Sequence, residues 1–257
     1  MTRRDLDYET PRPVRRRVAP NVRDDLAYLL PMLTFLAFTW VGATWKELYV
    51  ASYATKAMVV AVMLYLFWPA YTRVRWNGWW LGVIVGVVGI FQWVYMQRWL
   101  QESWPGVVEG WTFIPQTARQ WMAQHFKPGE DVFNPTKVFT SPAALYAFYA
   151  VRIAGAVLVV PVMEELFWRD FLWRTIISPN DFKLAQVGEW DWKAFTVVCV
   201  AFSFVHGHWW LTSIVWAAMV GALLVYTKSL GACIVAHAVT NLLLAAYVLR
   251  WRDWAFW

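Results

Sequence analysis

Charge is scarce in this chain. Only 16% of its 257 residues are Asp, Glu, Lys or Arg, while 60% are apolar; an ordinary soluble domain carries roughly 25% charged residues. That balance excludes a disordered chain, a nucleic-acid-binding module and most cytosolic enzymes. Cysteine is scarcer still. Cys199 and Cys233 both lie inside apolar runs, too few and too far apart for a disulfide framework or a thiolate metal cluster, so both are expected to be small core residues. The first 25 residues are charged and lack an apolar h-region, and no cleavable signal peptide is expected. No internal repeat, low-complexity tract or soluble second domain is visible.

Aromatics are abundant instead: 21 Trp and 11 Tyr, residues that favour bilayer interfaces, where an apolar ring and a polar tip are both satisfied. Long apolar runs near 26–45, 50–71, 79–97, 143–176, 194–208, 211–227 and 230–250 predict an all-α, polytopic transmembrane bundle of about seven or eight helices. The 194–208 run is short and is expected to be buried among other helices. The expected organisation is a basic tail (1–25), N-terminal helices with an outer loop (26–142), a core carrying a polar site (143–250) and a short C-terminal tail (251–257). Within the outer loop, 113–126 predicts an interfacial helix flanked by Pro115 and Pro128.

Orientation follows from the basic residues. Of the net charge of +6, much sits in Arg3, Arg4, Arg12, Arg15, Arg16, Arg17 and Arg23, which fit the anionic cytoplasmic leaflet and place the N-terminus in the cytoplasm. Counting crossings puts Arg73, Arg75 and the 177–193 connection inside and the 98–142 connection outside. Seven spans would leave Arg250 and Arg252 outside, against the rule, so the count stays open by one.

The informative residues are those a bilayer excludes, because a charge at mid-membrane costs about 2.5–3.5 kcal/mol on insertion scales. Glu164, Glu165, Arg169 and Asp170 stand among apolar neighbours. Glu165 and Arg169 are four apart and share a helix face, an intrahelical ion pair. Glu164 is rotated about 100° from Glu165 and presents its carboxylate to another helix. Pro161 has no N–H, which frees the Val157 carbonyl and opens room beside Glu164. His206 follows Phe202 by four residues; His208 points about 200° away, and Gly207 predicts a bend. His237 and Asn241 are also four apart and share one face.

Depth links these positions. If the 143–176 helix continues past Met163, where its apolar run stops, Glu164 lies about 18 Å from the inner end and His206 about 17 Å. His237 and Asn241 fall at about 9 and 15 Å. Ending the helix at Met163 would put Glu164 and His206 near opposite faces. The coincidence of depths argues for one continuous helix and one shared site.

Glu164-Glu165-x-x-x-Arg169, Phe202-x-x-x-His206 and His237-x-x-x-Asn241, in that order, resemble the three motifs of the CPBP family. This family, also called ABI, contains the type II CAAX prenyl endopeptidases and the bacteriocin-processing or immunity proteins. The resemblance covers roughly residues 150–245 and implies an intramembrane glutamic protease. Carried over by position, Glu164 activates water with help from His206, while His237 and Asn241 hold the oxyanion; Glu165, Arg169 and Phe202 are structural support. The residues agree with those roles: a buried carboxylate beside an imidazole suits a general base, and amide and imidazole N–H groups suit an oxyanion.

Other readings stay open at this point. Glu164, His206 and His237 are also a possible zinc set, although no cofactor is expected. Ser203, three residues before His206, offers a serine mechanism. A non-catalytic membrane scaffold or immunity protein is the alternative from another class, and an ion or proton carrier the third. The expected partners are the lipid bilayer and a membrane-anchored peptide or protein substrate, with no nucleic acid. The expected location is a prokaryotic plasma membrane.

Overall fold

The computed structural model describes residues 22–127 and 132–257. The tail arginines up to Arg17, the side chain of Arg23, and Pro128 lie outside the described residues. In chain order the principal helices are α1 (Asp24–Thr44), α2 (Lys46–Ala70), α3 (Trp79–Glu102), α4 (Gln116–Gln124), α5 (Pro142–Ile177), α6 (Trp192–Phe204), α7 (Gly207–Thr227) and α8 (Leu230–Trp251). Six of them, all but α4 and α6, are long and apolar enough to cross a membrane. The chain is a multi-pass helical membrane protein.

The seventh expected span is the short one. α6 stops at Phe204, not 208. Gly207 takes φ +56°, and the His206 carbonyl accepts from Trp209 N, so a turn replaces the last helical turn. Thirteen residues rise only about 20 Å, well short of a bilayer core, and Ala194, Val198, Cys199, Phe202 and Ser203 are buried. α4 is likewise shorter than the expected 113–126: the Pro115 carbonyl accepts from Arg119 N at its start. The loop after it is tied to the bundle by Gln97 Nε2 donating to the Phe126 carbonyl (3.0 Å), while Thr212 Oγ1 donates to Gln97 Oε1 (2.7 Å).

α5 runs unbroken through Met163 to Ile177, as the depth argument requires. It does so with two widened π-helical stretches, Gly155–Val159 and Leu166–Leu172, on either side of the glutamates. Such bulges are frequent where a helix builds a site.

Helix packing is set by small residues, as expected where lipid gives helices no hydrophobic reason to associate. Gly82, Gly86 and Gly89 of α3 lie against Ala232, Ala236 and Thr240 of α8. A Cβ at Gly86 would sit 2.7 Å from the Ala236 carbonyl oxygen, so only glycine allows this approach. Thr240 Oγ1 bridges the seam, donating within reach of Ala236 O (2.9 Å) and Gly86 O (3.2 Å). The core around Trp173, Phe202, Leu224, Ala232 and Cys233 is fully buried, and both cysteines are free thiols within it.

A second ionic cluster ties the end of the bundle where α1 starts. Asp170 pairs with Arg174 and accepts from Tyr28 Oη (2.7 Å), and Arg174 donates to Thr72 Oγ1 (2.8 Å) and the Ala185 carbonyl (2.9 Å). Both charges are buried, where only complete partnering makes them tolerable.

Candidate functional site

Glu165 and Arg169 form the hub. Neither is accessible to solvent. Arg169 Nη1 donates to Glu165 Oε1 (3.2 Å) and its Nε lies 3.2 Å from Oε2. The guanidinium stacks over the rings of Phe202 (4.8 Å) and Trp216 (5.4 Å), so Phe202 of α6 buttresses the pair through a cation–π contact. Glu165 has a second partner that spacing alone did not reveal. His237 Nδ1 lies 2.8 Å from Oε1, with its ring edge-on to Trp216 at 4.7 Å. The carboxylate therefore fixes Nδ1 as the donor and leaves Nε2 as the imidazole's free nitrogen.

Glu164, next on the helix, makes no hydrogen bond or ion pair among the described residues, and its Oε2 is buried without a partner. The titratable groups acting on it are His237, Glu165, Arg169 and Lys56. A buried carboxylate with no partner costs free energy and survives where something else requires it.

His206 sits in the turn after α6. Its Nδ1 is 2.7 Å from the Phe202 carbonyl, an acceptor only, so Nδ1 carries the hydrogen and Nε2 is left as an acceptor. The ring stacks on Phe202 at 4.3 Å and meets the edge of Trp93. Asn241 Nδ2 donates to the Ala156 carbonyl (2.7 Å), one of the amide's two donors, leaving the other available.

Here the sequence expectation needs correction. Pro161 was expected to free the Val157 carbonyl. In the π-helical turn, Val160 N reaches back to Gly155 O, so the carbonyl that falls opposite the proline nitrogen is that of Ala156. Asn241 supplies the hydrogen that Pro161 lacks. The widened turn thus moves the orphan acceptor by one residue.

A cavity of about 270 Å3 is lined by His206, Asn241, Arg152, Tyr53, Trp93 and Val160, together with Trp257 at the C-terminus. It lies toward the end of the bundle opposite the start of α1. His206 and Asn241 line it; Glu164 and His237 do not, each lying one helical turn deeper, four residues from Val160 and Asn241 respectively. Ser203 Oγ donates to the Val200 carbonyl (2.7 Å) rather than to His206, which removes the pairing a serine nucleophile needs. His208 lines a different cavity. Among the described residues, no group of three His, Cys, Asp or Glu side chains is placed to hold a metal ion, the Glu164, His206 and His237 set included.

Two cations near the site escaped the sequence reading. Lys56 of α2 is buried, donates to Thr39 Oγ1 (2.8 Å) and lies over the rings of Phe35 and Tyr53. Arg152 stacks on Tyr53 (4.3 Å) and Trp257 (5.3 Å). Each is a lone charge inside an apolar run; screening such runs for single Lys or Arg at mid-helix would have found both.

These features define a polytopic membrane protein that encloses a diglutamate, two imidazoles and a carboxamide among α5, α6 and α8. Residues 146–243 match the family model described as Rce1-like, type II CAAX prenyl endopeptidase. Over that stretch the chain is similar to the type II CAAX prenyl endopeptidases, in agreement with the resemblance its three motifs carry. No curated protein and no solved structure matches the chain.

Proposed function

We propose that this protein cleaves a peptide bond of a membrane-anchored peptide or protein, using water activated by Glu164 without a metal ion. The observation that carries the reading is the contrast between the two adjacent carboxylates: Glu165 is held by Arg169 and His237, while Glu164 is buried and unpaired. A carboxylate free to accept a proton is what a general base requires.

In this mechanism water bound between Glu164 and His206 Nε2 attacks the scissile carbonyl carbon. Its proton passes to Glu164 and then to the leaving amine nitrogen as the C–N bond breaks. The free N–H of Asn241 donates to the developing oxyanion; His237 joins it only with Nε2 carrying a hydrogen as well as Nδ1, the imidazolium charge then balanced by Glu165. Glu165 and Arg169 orient His237, and Phe202 buttresses both His206 and Arg169. On this reading the chain lies in a prokaryotic plasma membrane with its N-terminus in the cytoplasm, which the basic tail supports, and the His206–Asn241 cavity faces the outer side.

The test is a comparison of peptide termini in membranes of the native host carrying wild type, Glu164→Gln or no protein, with the purified wild type assayed with and without EDTA. New termini that appear only with wild type, and cleavage that resists the chelator, are expected. Identical termini in all three would overturn the protease reading in favour of a scaffold. Cleavage retained by the Gln variant would remove Glu164 as base, and loss with EDTA would return the zinc set.

A further inference from the structure

A cavity of about 940 Å3 opens at the end of the bundle where α1 starts, away from His206 and Asn241. Its wall carries Arg73, Arg75, Arg174, Lys183 and Lys228, and among the described residues no carboxylate lines it. Two of these charges are compensated from behind, Arg174 by Asp170 and Lys183 by Asp24. Lys228 Nζ donates only to the Gly188 carbonyl, and the side chains of Arg73 and Arg75 have no partner among the described residues. About three positive charges are therefore left facing one concavity.

The general excess of basic residues on cytoplasmic loops accounts for charge at this end. It does not account for a built cavity. The Arg75 carbonyl is held by Gly231 N (2.9 Å) and Ser229 Oγ (2.7 Å). Arg174 Nε holds the Ala185 carbonyl (2.9 Å), and Lys183 Nζ holds that of Ala70 (2.9 Å). The loop after α2, the loop after α5 and the start of α8 are thus locked together before any ligand arrives. Trp76 lines the cavity, and Trp79 and Trp80 in the first turn of α3 are exposed, which sets the site at the level of a bilayer interface.

We propose that this cavity binds a phosphate-bearing anion. Guanidinium forks and ammonium groups without counter-charges match phosphate oxygens, and basic pockets between helices at this level suit lipid headgroups. The volume exceeds that of a single ion and falls in the range of ligand sites, and Val187 and Leu230 give it apolar wall beside the charges. The source is either an anionic phospholipid headgroup or a soluble phosphoryl compound. The site is independent of the proposed proteolysis.

The experiment uses the full chain, purified in detergent, with bound lipid measured by native mass spectrometry during titration with phosphatidylglycerol or phosphatidylcholine. A second arm adds inorganic pyrophosphate. Wild type is expected to retain phosphatidylglycerol at least fivefold better than phosphatidylcholine. Arg75→Gln with Lys228→Gln should lose that preference, Lys228→Arg should keep it, and Lys137→Gln, outside this cavity, should not alter it. The altered side chains are exposed, and an unchanged melting temperature verifies that the double variant folds. Displacement by millimolar pyrophosphate assigns a soluble ligand; resistance to it assigns the headgroup. No preference in wild type for either phosphate-bearing probe, or equal retention by the double variant, overturns the proposal.

Discussion

At the scale of single residues, the two neighbouring glutamates have different surroundings, and the proposed chemistry falls to Glu164 while Glu165 holds Arg169 and His237. Glu164→Gln keeps the shape of a side chain that has no partner to lose, so proteolysis should fall by at least about 10²-fold, the lower end of what a general base contributes, with melting unchanged within a few degrees. Glu165→Ala strips Arg169 and His237 of their shared carboxylate and leaves a buried guanidinium unpaired. Loss of one partner of a buried pair costs about 3–5 kcal/mol. Thermal unfolding in detergent should show that loss, and glutamine at the same position should recover only part of it. A Glu164→Gln protein that melts early, or a Glu165→Ala protein that does not, would reverse the assignment.

At the scale of elements, α5 and its partner α8 carry the glutamates and their facing His237 and Asn241. Pro161→Ala returns an N–H to the turn opposite the Ala156 carbonyl, and that hydrogen competes with Asn241 Nδ2 for one acceptor. Turnover should drop while melting holds or rises, since proline is removed from a helix interior; parallel assays of cleavage and melting check it. Gly86→Ala pushes a Cβ into the Ala236 carbonyl and should destabilise the fold by about 1–3 kcal/mol, the usual cost of overpacking.

The same two helices show what could be read from the residues alone. Spacing places Glu165 with Arg169 and His237 with Asn241, because i and i+4 share a face in any helix. Depth carries α5 past its hydropathy break. Spacing cannot find the Glu165–His237 contact, which joins residues 72 apart in sequence, nor the one-residue shift of the orphan carbonyl, which arises only when the turn widens. Lys56 and Arg152 were overlooked because aromatic rings, rather than acids, accommodate them, and a ring in an apolar run reads as packing. The end of α6 was placed four residues late because the apolar pattern runs on through a turn that Gly207 imposes.

At the scale of the whole molecule, the helices alternate so that the α1–α2 connection and the α2–α3 loop lie at opposite ends. With the proposed orientation, a membrane-impermeant maleimide applied to intact cells should label Glu47→Cys and not Asn77→Cys. Cys199 and Cys233 are buried and should stay silent, so the native chain serves as its own background. The opposite pattern would invert the molecule and turn the His206–Asn241 cavity toward the cytoplasm.

The glycine seam between α3 and α8 has a consequence for how the chain is divided. α3 lies wholly outside residues 146–243, yet its backbone rests directly on the helix that carries His237 and Asn241. The motif-free half therefore works as the rail along which the proposed oxyanion pair is aligned. A bulkier side chain on that rail would push α8 away and carry His237 and Asn241 with it, although the sequence would still hold every motif residue.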